Sequence, residues 1–321
     1  MKNLWKTITV LTLAIFFGYN VYADARVQVI HNSADAAAET VDVWLNGDLL
    51  IDDFMFRTAT PFVDVPTGVN LNIAIQGPAS TSADNPLLSY DYVLEDGKSY
   101  VLVANGIVSS SGYEPAKPFD IWVYDMGQEM AMNKMNTDVL VFHGSTDAPT
   151  VDVVETGVGA GTVVDDLMYG EFAGYLELPT ADYILEIMDE TGENTVISYV
   201  APLATLGLED AALVTVASGF LNPANNSNGE GFGLWAALPT GGDLIALPVH
   251  EDESLDIARV QVIHNAADAA AAVVDVWLND VLLLDDFTFR TASPFVDAPA
   301  GEEFTISIKV ADSMNPNDPI W

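Results

Sequence analysis

One stretch of this chain occurs twice almost unchanged, and nothing else constrains the fold as much. RVQVIHNSADAAAETVDVWLNGDLLIDDFMF begins at Arg26, and RVQVIHNAADAAAAVVDVWLNDVLLLDDFTF begins at Arg259. A looser copy, DVLVFHGSTDAPTVDVVETG, begins at Asp138. A text that recurs at domain-sized spacing is a repeated folding module, so one explanation has to serve for most of the chain. The expected organisation is a leader at 1–23, repeat 1 at 24–136, repeat 2 at 137–253 and a truncated repeat 3 at 254–321. The match between first and third copies runs to Asn85-Pro86-Leu87-Leu88 against Asp318-Pro319-Ile320-Trp321, where the first copy goes on for about three more strands. A fragment of a longer protein is the expectation. The second explanation is a sandwich completed by a strand from another chain.

Within one repeat the apolar pattern has period two. Val41, Val43 and Leu45 fall on one face and Asp42 and Trp44 on the other, and Asn46-Gly47 supplies the positive φ angles that a two-residue hairpin turn needs. Asn279-Asp280 is a weaker form of that turn. Further short β-rich runs follow, separated by Pro, Gly, Asp and Asn, and residues 34–39 are a small-residue connection that could form one helical turn. Seven or eight strands in about 110 residues, with no helical stretch long enough for a βαβ unit, predict an all-β fold of tandem antiparallel immunoglobulin-like sandwiches. Linkers are expected at 126–136 and 250–257, where strand patterning lapses.

The N-terminus, with Lys2 and Lys6, an apolar run at 7–18 and Val21-Tyr22-Ala23, reads as a secretory signal cleaved after Ala23. No later segment is apolar and long enough to span a bilayer. There are no cysteines, which excludes disulfides, thiolate metal sites and cysteine nucleophiles. The net charge of −37 falls to −39 once the two leader lysines are removed. Such a field repels nucleic acid and favours solubility and cation accumulation.

His143-Gly144-Ser145-Thr146-Asp147-Ala148-Pro149-Thr150-Val151-Asp152-Val153 resembles the opening motif of a bacterial extracellular family, domain of unknown function 4397. In that family a strand ending in His leads into an Asp-Ala-Pro turn, then Val-Asp-Val and Asn-Gly. Repeats 1 and 3 keep His, Asp, Val-Asp-Val and Asn, but replace the turn with alanine-rich text at Asp35-Ala36-Ala37-Ala38 and Asp268-Ala269-Ala270-Ala271. The resemblance implies a β-sandwich of secreted or surface proteins and no known chemistry.

Three sets of recurring residues are candidates for function. His31, His143 and His264 each stand four residues before an aspartate; one imidazole per repeat is too few for a metal centre and predicts a hydrogen bond that fixes the connection. Asp52-Asp53, Asp165-Asp166 and Asp285-Asp286 close the second hairpin strand. Paired carboxylates suit calcium, but the spacing of a dedicated calcium loop is absent, so the expectation is a solvated turn or a partner for arginine and no cofactor, with calcium as the alternative. Arg26, Arg57, Arg259 and Arg290 predict bridges to Asp or Glu. Trp44 and Trp277 could stack on sugar rings if exposed, while Trp122 and Trp235 read as core. Residues 157–161 are glycine-rich but lack the Lys-Ser/Thr of a phosphate loop.

No catalytic elbow, zincin motif or other catalytic set is present. The expectation is a non-catalytic secreted or cell-surface array for adhesion, structural display or extracellular interaction, with an extracellular protein or glycan as partner. The alternative is a glycan-binding module, helped by calcium.

Overall fold

The computed structural model describes residues 24–192, 194–251, 257–279, 281–300 and 304–311. The leader with its cleavage point, the polar text at 252–256, Asp280 of the third hairpin turn and the closing text at 318–321 lie outside the described residues. Residues through His250 form one compact unit and those from Glu251 a second.

Repeat 1 consists of β1 (Asp24–His31), β2 (Thr40–Leu45), β3 (Asp48–Met55), β4 (Thr58–Ala59), β5 (Val63–Pro66), β6 (Asn70–Gln76), β7 (Leu88–Val93), β8 (Ser99–Asn105) and β9 (Asp120–Tyr124). Repeat 2 follows with β10 (Asn136–His143), β11 (Val151–Glu155), β12 (Gly161–Leu167), β13 (Phe172–Pro179), β14 (Asp182–Asp189), β15 (Thr195–Pro202), β16 (Ala212–Ser218), β17 (Gly233–Ala237), β18 (Gly242–Asp243) and β19 (Ile245–Ala246). The small-residue connection of repeat 1 is a single 3-10 turn, Ala36–Ala38, capped by Asp35.

Repeats 1 and 2 are each a two-sheet sandwich. In the first, β3-β2-β6-β7 faces a sheet ordered β4-β1-β8-β9, with β5 also on β1; in the second, β12-β11-β14-β15 faces β13-β10-β16-β17-β19. Pairing is antiparallel except for β1 with β8 and β10 with β16, which run parallel. The hairpin turn forms as its residues require, with Asn46 at φ 52° and Gly47 at φ 90°. Alternate residues of β1 and β8, such as Val27, Tyr100 and Leu102, point into the sandwich against Val41, Phe54 and Leu71.

The intervening residues of the same strands are also buried. Ile30, Val101 and Val103 pack against Leu140, Phe142, Val214 and Val216 of repeat 2, so the two sandwiches meet face to face across a shared apolar layer. Strands buried on both faces read as unbroken apolar runs, as Tyr100–Ala104 does. Strand β18 crosses over and pairs with β4, Gly242 opposite Ala59. Gln28 donates to Leu238 O at 2.7 Å, and Arg57 reaches Ser218 Oγ at 3.0 Å and Gly231 O at 2.9 Å while lying 4.1 Å over the Trp235 ring. In repeat 2 the position of Arg57 is Gly170, where an added Cβ would run into the Trp122 ring. The expected linker is tied down in its middle: Glu129 is gripped by Arg26, and Met132 N donates to Asp138 Oδ2 at 2.8 Å.

The second unit contains β20 (Ile257–Val260), β21 (Val273–Leu278), β22 (Val281–Thr288), β23 (Val296–Pro299) and β24 (Ile306–Val310). Strand β21 lies between β22 and β24, and β20 pairs with β23. Val274, Val276 and Phe287 form its core.

Candidate functional site

The aspartate of Val-Asp-Val and the Asp-Asp pair, on opposite strands of one hairpin, meet in all three repeats. Val41 pairs with Phe54 and Val43 with Ile51, so Asp42 alone opposes Asp52 and Asp53. Repeat 2 sets Asp152 against Asp165 and Asp166, and repeat 3 sets Asp275 against Asp285 and Asp286. Two residues against one is a β-bulge, and its second residue here is left-handed: Asp53 and Asp166 at φ 51°, Asp286 at φ 48°. Aspartate tolerates that conformation better than most side chains. The bulge N–H points at the opposing carboxylate. Asp53 N donates to Asp42 Oδ1 at 3.0 Å, Asp166 N to Asp152 Oδ1 at 2.7 Å and Asp286 N to Asp275 Oδ1 at 2.9 Å. The recurring aspartates therefore clamp a bend in the hairpin.

The surroundings of the clamp differ between repeats. Asp42 is fully buried, and its Oδ2 accepts from Ser80 N at 2.8 Å and Ser80 Oγ at 2.6 Å. Trp44 Nε1 in turn donates to Ser80 Oγ at 2.8 Å, so the polar loop carrying Ser80 is drawn over Trp44, leaving it 8 % exposed. Stacking a sugar on Trp44 would require this loop to leave. In repeat 3 the residue opposite Asp275 is Lys309, fully buried with Nζ 4.4 Å over the Trp277 ring. Among the described residues, the carboxylates of Asp42, Asp52 and Asp53, and those of Asp275, Asp285 and Asp286, bring oxygens within 4.8 Å of one another; the trio of repeat 2 does not. A hard cation at the first corner would meet two exposed carboxylates and a third already holding three hydrogen bonds.

The histidines hold carbonyls, as their spacing suggests: His31 Nε2 lies 2.7 Å from Ala38 O, His143 Nε2 2.8 Å from Pro149 O and His264 Nε2 2.8 Å from Ala271 O. Burial pushes His31 down to about 4 against the opposing effect of its carbonyl bond, and burial also lowers His143. In repeats 1 and 2 the aspartate four residues on anchors a distant loop, while Asp268 of repeat 3 caps its own turn through Ala270 N. Asp35 accepts from Val108 N, Ser109 N and Ser109 Oγ, and Asp147 from Leu221 N, Asn222 N and Asn226 Nδ2. Burial would raise the Asp35 carboxyl, but the donors from Ala37, Ser109 and Tyr113 outweigh it and hold it below its usual value.

Of the arginines, Arg26 grips Glu129 with two nitrogens at 2.7 and 2.8 Å and meets Asp64 at 3.0 Å, and Arg57 reaches Glu230 at 3.5 Å. Arg259 lies 5.9 Å over the Phe295 ring and Arg290 5.0 Å over that of Phe289. Trp122 packs between the first two repeats against Phe142 and Tyr169. No helix among the described residues is long and apolar enough to cross a membrane.

A family model described as domain of unknown function (DUF4397) matches residues 25–124 and 137–220. The chain belongs to this family. The two matched DUF4397 copies are the two sandwiches described above, and the His, Asp and Val-Asp-Val residues of the opening motif are the ones that hold carbonyl, loop and bulge. No curated protein sequence matches the chain. Two solved structures are similar at 10 % identity, each match covering 60 % of this chain and 93 % of the other. One is titled for alpha-glucan binding by a streptococcal virulence factor, with a TM-score of 0.20. The other is titled for alpha-glucan recognition by family 41 carbohydrate-binding modules from streptococcal virulence factors, with a TM-score of 0.21.

Proposed function

We propose that this chain is a non-catalytic, exported array of DUF4397 sandwiches that serves extracellular interaction or structural display. The observation that carries the reading is what the recurring side chains do. Repeats 1 and 2 each present a buried histidine, a loop-anchoring aspartate and a bulge-clamping aspartate, repeat 3 keeps the histidine and the bulge clamp, and each of these groups is bonded to backbone rather than directed at a cleft. Catalytic groups converge on a space where a reacting atom can sit. The leader-like N-terminus and the strongly acidic surface support export, and the apolar layer between repeats 1 and 2 supports a stiff spacer rather than beads on a string. A glycan or an extracellular protein is the partner class. Calcium, as part of this reading, would enter at Asp52 and Asp53 or at Asp285 and Asp286, where the carboxylates converge, rather than at Asp165 and Asp166.

The test is expression from the native N-terminus in a bacterial host, with N-terminal sequencing of the chain recovered outside the cytoplasm. Asp24 as the first residue is the expected result. A chain retained in the cytoplasm with Met1 intact, or one that turns over a glycan or peptide substrate, would sink the reading.

A further inference from the structure

The interior of repeat 2 contains a cavity of about 190 Å³ between its two sheets. The core around it is divided, with Val153, Ile187 and Tyr199 on one side and Val139, Tyr183 and Leu213 on the other. Repeat 1 has one continuous core at the same place. Strand registers identify the exchange. Tyr92 pairs with Leu71 where Ala201 pairs with Tyr183; Tyr100 pairs with Val27 where Leu213 pairs with Val139; Leu102 pairs with Val29 where Thr215 pairs with Val141. Tyr92 spans the first sandwich and donates to Ile121 O at 3.3 Å. Ala201, Leu213 and Thr215 all line the cavity.

The same end of repeat 2 is rebuilt as an entrance. The two-residue turn at 46–47 becomes the glycine-rich segment 156–160, and the connection at 94–98 becomes the longer loop 203–211. Ala160 of the first and Leu206 of the second both line the cavity, and Leu206 is 45 % exposed. Glu155, the charged member of the lining, turns its carboxylate to the turn, accepting from Val158 N at 3.0 Å and Ala160 N at 3.0 Å. The rest of the lining is apolar apart from Thr215 and Tyr183, whose hydroxyl donates to Pro179 O.

We propose that repeat 2 is a binding pocket for a small neutral hydrocarbon group, a single ring or a short alkyl chain, admitted between segment 156–160 and loop 203–211. In size the space fits this class: a cavity of about 150 Å³ lined by aliphatic and aromatic side chains in another protein stays dry and binds benzene. With the Glu155 oxygens held by backbone N–H groups, a charged or strongly polar ligand would find no counterpart.

The test is thermal unfolding of the full mature chain with toluene and, separately, n-octane near their solubility limits. A ligand at about a hundredfold excess over its dissociation constant raises the midpoint by about 5 to 10 °C. A response to toluene assigns a ring, and a response to n-octane an alkyl chain. In Ala201→Tyr and in the more conservative Thr215→Leu, which fill the space as repeat 1 does, the response is lost or reduced at least several-fold. Failure of both hydrocarbons to raise the wild-type midpoint overturns the proposal. So does a response left intact in the filled variants.

Discussion

Repeats 1 and 2 share strand order, registers and bulge, yet differ in how their sandwiches are filled. Repeat 1 spends Tyr92, Tyr100 and Leu102 on a continuous core; repeat 2 has Ala201, Leu213 and Thr215 at those positions and keeps a cavity of about 190 Å³. At about 24 cal/mol per Å³, leaving such a space empty costs about 4 to 5 kcal/mol, a large part of a domain's stability. The sheet of repeat 2 that carries Leu213 and Thr215 packs its other face into the apolar layer shared with repeat 1. The difference teaches that these two repeats hold the same topology through shared strand registers, bulges and the inter-repeat face. The sandwich interior differs between them without a change of topology.

The largest effect is expected from imposing the interior of repeat 2 on repeat 1. Tyr92→Ala combined with Tyr100→Leu should lower stability by about 3 to 5 kcal/mol in denaturant titration. A loss under 1 kcal/mol would show that the interior of repeat 1 is not the tighter one. Next comes the acid limb. The folded His31 resists protonation down to about 4, whereas the unfolded residue binds a proton near 6.5. Stability is therefore complete above pH 6.5 and falls as pH drops toward 4, by up to about 3 kcal/mol. Subtracting the pH profile of His31→Gln isolates this contribution, and a flat difference between pH 6.5 and 4 would contradict it.

The bulge clamps give a smaller and graded effect. Asp42→Ala should cost about 2 to 3 kcal/mol, because it strands the N–H groups of Asp53 and Ser80, and Asp152→Ala about 1 to 2 kcal/mol, because one such bond is lost. Equal costs would mean that the Ser80 loop does not depend on the clamp. Thr215→Leu, which borrows the repeat 1 residue, should stabilise by about 1 kcal/mol. Smallest is the effect of breaking the half-exposed contact between Arg26 and Asp64. Asp64→Asn should change stability by less than about 1 kcal/mol, and less still in high salt.

Much of this protein can be read from its text. The repeats, the period-two strands, the Asn-Gly turn and the histidine that fixes a connection are local properties, set by φ preferences and by neighbours a few residues away. The DUF4397 motif is local in the same sense. The acidic pairs were legible as a recurrence but not as a mechanism, because the partner of Asp53 is Asp42, across a hairpin whose bulge no spacing announces. The runs at Tyr100–Ala104 and at residues 139–142 did carry a sign of burial on both faces, yet nothing local says that the second face belongs to the next repeat. Trp44 looked exposable on its strand and is covered by a loop from later in the chain. The cavity belongs wholly to tertiary structure. A small residue at Ala201 makes a space only if what stands opposite fails to fill it, and that depends on side chains brought together from five or more strands.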